Sequence, residues 1–403
     1  MQSRRVWAEI DLDAISRNLA RLRFLAGSER RVMAIVKANA YGHGAVPIAW
    51  HLASQGVDML GVGDSQEAIE LREAGLSIPI LILGAIVPGE MGAVVAHDVE
   101  VTAHSGERVR LLEREARRAS RPVRVHLKVD TGMGRLGCSP ARAVELAQLI
   151  DQSEFLEFVG LCTHFSSVGA EPDDFTQQQV ALFESVARTL QDAGIALPPR
   201  HASASAAALT RVAGHLDMVR PGLALYGVGP DPQLQEGLRP ALELKTQVIF
   251  LKDLPAGAPV GYGREHVTAQ PTRVATLPVG YNDGYPWRLK DRGEVLIRGR
   301  RAPVVGRVSM DYLTIDVGQV PGVSVGDEVT LMGTVKTADG ERTISAFELA
   351  ERAGTIPYEI LTRLGKRVAR VYRGSRPAET RAESPEIADR GFAVVRRPKS
   401  PSN

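Results

Sequence analysis

Between residues 30 and 230 of this 403-residue chain, short apolar runs alternate with amphipathic segments eight times. The runs fall at 32–36, 57–61, 79–83, 99–102, 123–129, 156–163, 200–203 and 216–220. Val32-Met33-Ala34-Ile35-Val36 is apolar at every position, as a strand covered on both faces of a parallel sheet must be; a half-solvated strand would alternate. The segments between read as helices. Asp64-Ser65-Gln66-Glu67 forms an Asp-x-x-Glu capping box that opens a helix stopped by Gly75, and Ser139-Pro140 places a cap and an N1 proline ahead of a helix over 141–150. Eight strand–helix units in about two hundred residues fit a (β/α)8 TIM barrel, with a doubly wound open sheet as the alternative.

After Pro240 the texture changes to short alternating strands with Gly and Pro turns, at 243–251, 273–277, 294–297 and 328–331. A helix capped by Ser345, with Glu348 three residues on, follows. The expected organisation is a barrel over 8–235, a β-rich domain over 240–373, and a disordered, Arg-, Glu-, Pro- and Ser-rich tail over 374–403. Charge narrows the partners: 49 basic against 47 acidic residues, a formal net charge of +2, sets up no field for a nucleic-acid backbone or an anionic membrane. The longest apolar stretch, 78–87, is cut by Pro88 and falls short of the ~18 residues a membrane span needs. The start of the chain reaches Glu9 before an apolar core develops, unlike a secretory signal. With only Cys138 and Cys162, read as free thiols, the expected setting is a reducing cytoplasm.

In such a barrel the residues just after each strand share one mouth. Here they are Lys37, Asn39, Tyr41 and His43; Lys128, Asp130 and Arg135; His164; His201, Ser203 and Ser205; Arg220, Gly222 and Tyr226. A lysine ending an apolar strand is desolvated, which lowers its pKa and suits it to imine formation, although snorkelling to solvent is the plainer alternative. Arg220, a bare amide at Gly222 and the hydroxyls at Ser203 and Ser205 suit an anion at the end of strands seven and eight; helix capping and a simple ion pair are the alternatives. The histidines at 43, 126, 164 and 201 have no metal-ligand spacing and read as core or supporting residues, so no metal is expected.

These residues carry a resemblance. Ala34-Ile35-Val36-Lys37-Ala38-Asn39-Ala40-Tyr41-Gly42-His43-Gly44 resembles the pyridoxal-phosphate motif of alanine racemases. The likeness continues through His126-Leu127-Lys128-Val129-Asp130-Thr131-Gly132-Met133-Gly134-Arg135, Val219-Arg220-Pro221-Gly222, Val260-Gly261-Tyr262-Gly263, Val279-Gly280-Tyr281-Asn282-Asp283, Ser309-Met310-Asp311 and Ile356-Pro357-Tyr358-Glu359. It implies a pyridoxal 5'-phosphate enzyme that interconverts L-alanine and D-alanine, supplies D-alanine for peptidoglycan and cell wall biogenesis, and works as a homodimer with shared sites. It also implies that residues 1–7 join the β-rich domain.

By the same resemblance Lys37 would carry the cofactor through its amine and act as base on D-alanine, and Tyr262 would act as base on L-alanine. Tyr41, Ser205, Gly222 and Tyr358 would hold the phosphate. Arg135 would bind cofactor and substrate carboxylate, and the Met310 amide would also hold that carboxylate. His164 would sit beside Tyr262, and Arg220 against the pyridine nitrogen. Because Lys128 and Arg135 share one strand-to-loop segment, Lys128 is expected to be carbamylated and to bridge to Arg135, or else to be paired with a nearby carboxylate. Many members have Asn before the serine matching Ser205, where this chain has Ala204. The alternatives are a barrel-plus-β decarboxylase, which places a carboxylate where Arg220 stands, a non-catalytic pyridoxal-phosphate carrier, and a serine or broad-specificity racemase.

Overall fold

The computed structural model describes residues 4–169, 174–210 and 215–374; nearly all of the expected tail lies outside them. The first strand, β1 (Val6–Asp11), is followed by β2 (Arg31–Ile35), β3 (Met59–Val62), β4 (Ile80–Ile82), β5 (Glu100–Ala103), β6 (Val123–Lys128), β7 (Leu156–Cys162), β8 (Arg200–His201) and β9 (Met218–Val219). Strands β2 to β9 form a closed barrel of parallel neighbours, β9 returning to β2. The open-sheet alternative is excluded. The eight apolar runs are these eight strands, and the barrel side chains Met33, Leu60, Leu81, Val125, Leu127 and Leu161 are fully buried.

The remainder is β-rich. β10 (Leu242–Gln247) pairs antiparallel with β1, and β1 pairs in parallel with Ala369–Arg373, so the first and last strands lie side by side in a seven-stranded sheet. This sheet holds β1 through Asp11, four residues past the expected boundary. The expected single strand over 243–251 is two: β10 stays in the large sheet, whereas Phe250–Leu254 pairs with Thr272–Leu277 in a three-stranded sheet completed by Leu313–Asp316. The chain changes sheets at Val248-Ile249, which a run of apolar residues does not announce. A two-stranded ladder, Pro259–Val260 with His266–Val267, carries Tyr262 in the turn between its strands.

The caps follow the sequence in part. Ser345 accepts from the Glu348 amide at 3.0 Å and Asp64 from the Glu67 amide at 2.9 Å. Ser139 makes no side-chain cap; a 3-10 turn over Pro140–Arg142 leads instead into the helix Ala143–Asp151. Among the described residues no helix is long and apolar enough to cross a membrane.

Candidate active site

The chain leaves β2 through Val36 and enters a left-handed turn. Ala38, Asn39, Ala40 and Tyr41 have φ of 52°, 55°, 52° and 52°, a conformation costing L-residues ~1–2 kcal/mol each. Tertiary bonds hold it. The Ala38 amide donates to Glu67 at 2.5 Å, the Asn39 side chain accepts from the Ala45 amide at 2.7 Å, and the Gly42 amide donates to the Ala38 carbonyl at 3.0 Å. Gly42, at φ 82°, has no room for a side chain, since a methyl there would stand 2.1 Å from the Leu361 carbonyl oxygen. The turn sets Lys37 at its start and buries Tyr41 at its end, where the ring lies 5.1 Å from Tyr226 and 6.2 Å from Tyr358. Tyr226 donates its hydroxyl to the Ile35 carbonyl at 2.8 Å, fixing the stack to β2.

Ser205 opens the helix Ser205–Thr210, and its Oγ accepts from the amides of Gly222 at 2.9 Å and Ala224 at 3.2 Å. Neither bond uses the hydroxyl's own proton. A methyl at Gly222 would lie 2.4 Å from the Tyr41 hydroxyl. Four residues expected at a phosphate, Tyr41, Ser205, Gly222 and Tyr358, are thus brought into one contact chain.

Arg220 follows β9 and is buried, with Nη2 donating to the carbonyls of Thr163 at 2.9 Å and Ala202 at 2.8 Å and Nη1 donating to His201 Nδ1 at 2.8 Å. No carboxylate pairs with it among the described residues. His164 Nδ1 lies 3.3 Å from Arg220 Nη2. Burial, then Arg220, Lys128, Arg135 and Lys37, push His164 down to about 3, so its imidazole is neutral. Burial and the Arg135 guanidinium lower the Lys37 ammonium, opposed by Glu67. Lys128 is buried, its Nζ 3.5 Å from the Leu83 carbonyl, and burial holds its ammonium low with Arg220, Arg135 and Lys37 adding to the effect. No ion pair joins Lys128 to a carboxylate among the described residues, although its charge helps to lower the Asp130 carboxyl.

The β-rich half presents its expected contributors outward. Tyr262 is 69% exposed and Met310 52%. Among the described residues no hydrogen bond, ion pair or ring contact joins either to the barrel. Tyr358 differs: its helix, Pro357–Thr362, packs on the Lys37 turn of the same chain.

The family model for the alanine racemase N-terminal domain matches residues 10–230, and that for the C-terminal domain matches 241–372. The chain belongs to the alanine racemase family. Among its relatives are the alanine racemases of Halothermothrix orenii, 42% identical over 92% of this chain and 97% of the relative, and of Symbiobacterium thermophilum, 43% identical over 92% and 98%. The alanine racemase of Streptomyces lavendulae superposes with a TM-score of 0.87 at 37% identity, covering 93% of this chain and 98% of that one. That of Bacillus anthracis, solved with bound L-Ala-P, gives 0.86 at 33% identity, covering 94% and 97%.

Alanine racemases are pyridoxal-phosphate-dependent isomerases, and the residues present suit that cofactor. Lys37, Lys128, Arg135 and Arg220 concentrate positive charge at one mouth, as a phosphate and a substrate carboxylate require. Gly222 puts no side chain between its backbone and the buried Tyr41 hydroxyl, and Ser205, which accepts from the Gly222 and Ala224 amides, keeps its own hydroxyl proton to donate. Sequence reasoning missed Glu67, which it took as a helix cap. Its carboxylate instead accepts from the Gly63 amide at 2.7 Å and from Ala38, bracing the lysine turn. Its three-residue spacing from Asp64 already had a local explanation, so nothing in the sequence pointed across to residue 38.

Proposed function

We propose that this racemase works by two bases, Lys37 taking the α-proton of D-alanine and Tyr262 of a facing subunit taking that of L-alanine. The observation that carries the reading is the separation of the two groups. Lys37 is held at the barrel mouth by a strained turn, while Tyr262 projects into solvent from the β-rich half of the same chain. Inverting a stereocentre needs a proton removed from one face and returned to the other, so a base on a second subunit supplies the missing face. Pyridoxal phosphate, when bound, supplies the delocalisation that makes the α-proton acidic.

The chain's own residues do the rest. Tyr41, Ser205, Gly222 and Tyr358 would hold the phosphate, and Arg135 with the Met310 amide would orient the carboxylate. Lys37, with its lowered pKa, is more readily the neutral amine that attachment and proton transfer both require. Arg220 has donors only and would keep its proton where it met the pyridine nitrogen; neutral His164 lies beside it. A carbamate on Lys128 would replace repulsion from Arg135 with attraction. D-Alanine for peptidoglycan is the product we assign, in a reducing cytoplasm suited to the two buried free thiols.

Isotope exchange tests the base assignment. In deuterated water, Tyr262→Phe should still wash the α-proton out of D-alanine through Lys37 and lose exchange from L-alanine. Equal loss from both enantiomers, or borohydride labelling of a lysine other than Lys37, would reject it.

A further inference from the structure

Arg220 is a buried guanidinium with no carboxylate beside it among the described residues, so its charge has to be met by acceptors held in place from elsewhere. A chain of buried groups leads from it to a carboxylate. His201 Nδ1 is 2.8 Å from Arg220 Nη1, His201 Nε2 is 2.8 Å from His126 Nδ1, and His126 Nε2 is 2.8 Å from Glu100 Oε2. Exposure is 5% at Arg220, 0% at His201, 1% at His126 and 4% at Glu100. Glu100 opens β5 and Arg220 follows β9, so the chain runs the length of the barrel interior. The barrel makes room for it at β7: a methyl on Gly160 would stand 1.9 Å from His126 Nδ1.

We propose that Glu100 is the positioning residue of Arg220, acting through His126 and His201, which the chain fixes as neutral Nε2–H tautomers. Arginine only donates, so His201 Nδ1 must accept and its proton must sit on Nε2. That proton is donated to His126 Nδ1, whose own Nε2–H is donated to Glu100. The order cannot reverse while Arg220 is charged. An imidazolium at His126 would donate to His201 and force two donors together at the 2.8 Å contact with Arg220. Other charges face the chain: Arg124 lies 2.9 Å from the second Glu100 oxygen, and Lys128, Cys162 and His164 surround the Arg220 end. Burial and Arg220 hold His201 well below the ordinary histidine range, which agrees with a neutral ring. The arrangement presents Arg220 with an acceptor oriented and polarised by a carboxylate while keeping any acid off the pyridine nitrogen. In this last respect it rests on the reading of Arg220 given above.

Nitrogen-15 NMR of the histidine-labelled holoenzyme tests the chain directly. Both Nδ1 atoms should be unprotonated and both Nε2 protonated near neutral pH, with a scalar coupling across the His201–His126 bond. A doubly protonated His126, or an Nδ1–H tautomer of either ring, overturns the proposal. Arg220→Glu replaces the donor by an acceptor and should turn His126 into an imidazolium; unchanged tautomers there would mean that Arg220 does not set the order. Glu100→Gln keeps an acceptor and removes the charge, so kcat should fall about tenfold or more with the KM for alanine held within about twofold. An unchanged kcat would remove the positioning role. The tautomers are read on the histidines alone, whereas α-proton exchange reads the two bases, so each reading can fail without the other.

Discussion

A single methyl group would test the proposed phosphate cradle. At Gly222 it would stand 2.4 Å from the hydroxyl of Tyr41, which is packed between Tyr226 and Tyr358 and cannot retreat. Gly222→Ala is therefore expected to weaken pyridoxal-phosphate affinity by about tenfold or more while costing the fold only about 1–3 kcal/mol, as overpacking does. Equilibrium dialysis of the cofactor beside urea melts checks both halves; unchanged affinity would separate Gly222 from the phosphate. The buried histidines set the response to acid. Burial lowers His43 to about 4, and burial with Arg220 lowers His164 to about 3. The unfolded chain takes up protons near the ordinary histidine value of about 6.5 while these folded rings do not, so stability is lost as pH falls below about 6.5 toward those values. The urea midpoint should accordingly drop between about pH 7 and pH 5, and His164→Gln should flatten part of the slope. A midpoint that ignores pH across this window would contradict the neutral-ring assignment.

At the scale of elements, the left-handed turn after β2 is a local cost imposed by the tertiary structure. Ala38 has φ 52° and an exposed side chain, and glycine adopts that conformation freely. Ala38→Gly should stabilise the fold by about 0.5–1 kcal/mol and slow turnover, because Lys37 is then held less rigidly. Faster turnover in the more stable variant would mean the strain serves no positioning. This turn also marks where sequence reading stops. The barrel strands are legible because a two-sided parallel strand leaves an unbroken apolar run, and Lys37 is legible because it breaks one. The conformation of Ala38, Asn39, Ala40 and Tyr41 is not, since of the four only Asn39 has a local leaning toward positive φ and the others have none. It comes from Glu67, Ala45 and Leu361, which reach the turn from other elements. The hydrogen-bonded line from Arg220 to Glu100 is hidden for the same reason: its members sit on four different strands or strand ends, and each taken singly reads as a core residue.

At the scale of the whole molecule, the two proposed bases lie on opposite halves of the chain, and the proposed shared site asks the exposed half to meet another copy. Mixing inactive Lys37→Ala and Tyr262→Phe subunits under exchange should restore activity, to about a quarter of the wild-type rate if subunits pair at random into dimers with one intact site. No recovery would place both bases within one chain. The sheet that holds β1 between β10 and the strand Ala369–Arg373 has a different consequence. During synthesis the barrel can close as soon as β9 has emerged, yet β1, made first, gains its two neighbours only after residue 373 has been added. The β-rich half is thus clasped by a strand made before the barrel, which can take its place beside β10 early but is flanked on both sides only once Ala369–Arg373 arrives. A fragment beginning after the barrel would have a strand-wide gap in its main sheet, with unpaired edges at Leu242–Gln247 and Ala369–Arg373 open to any strand that came by.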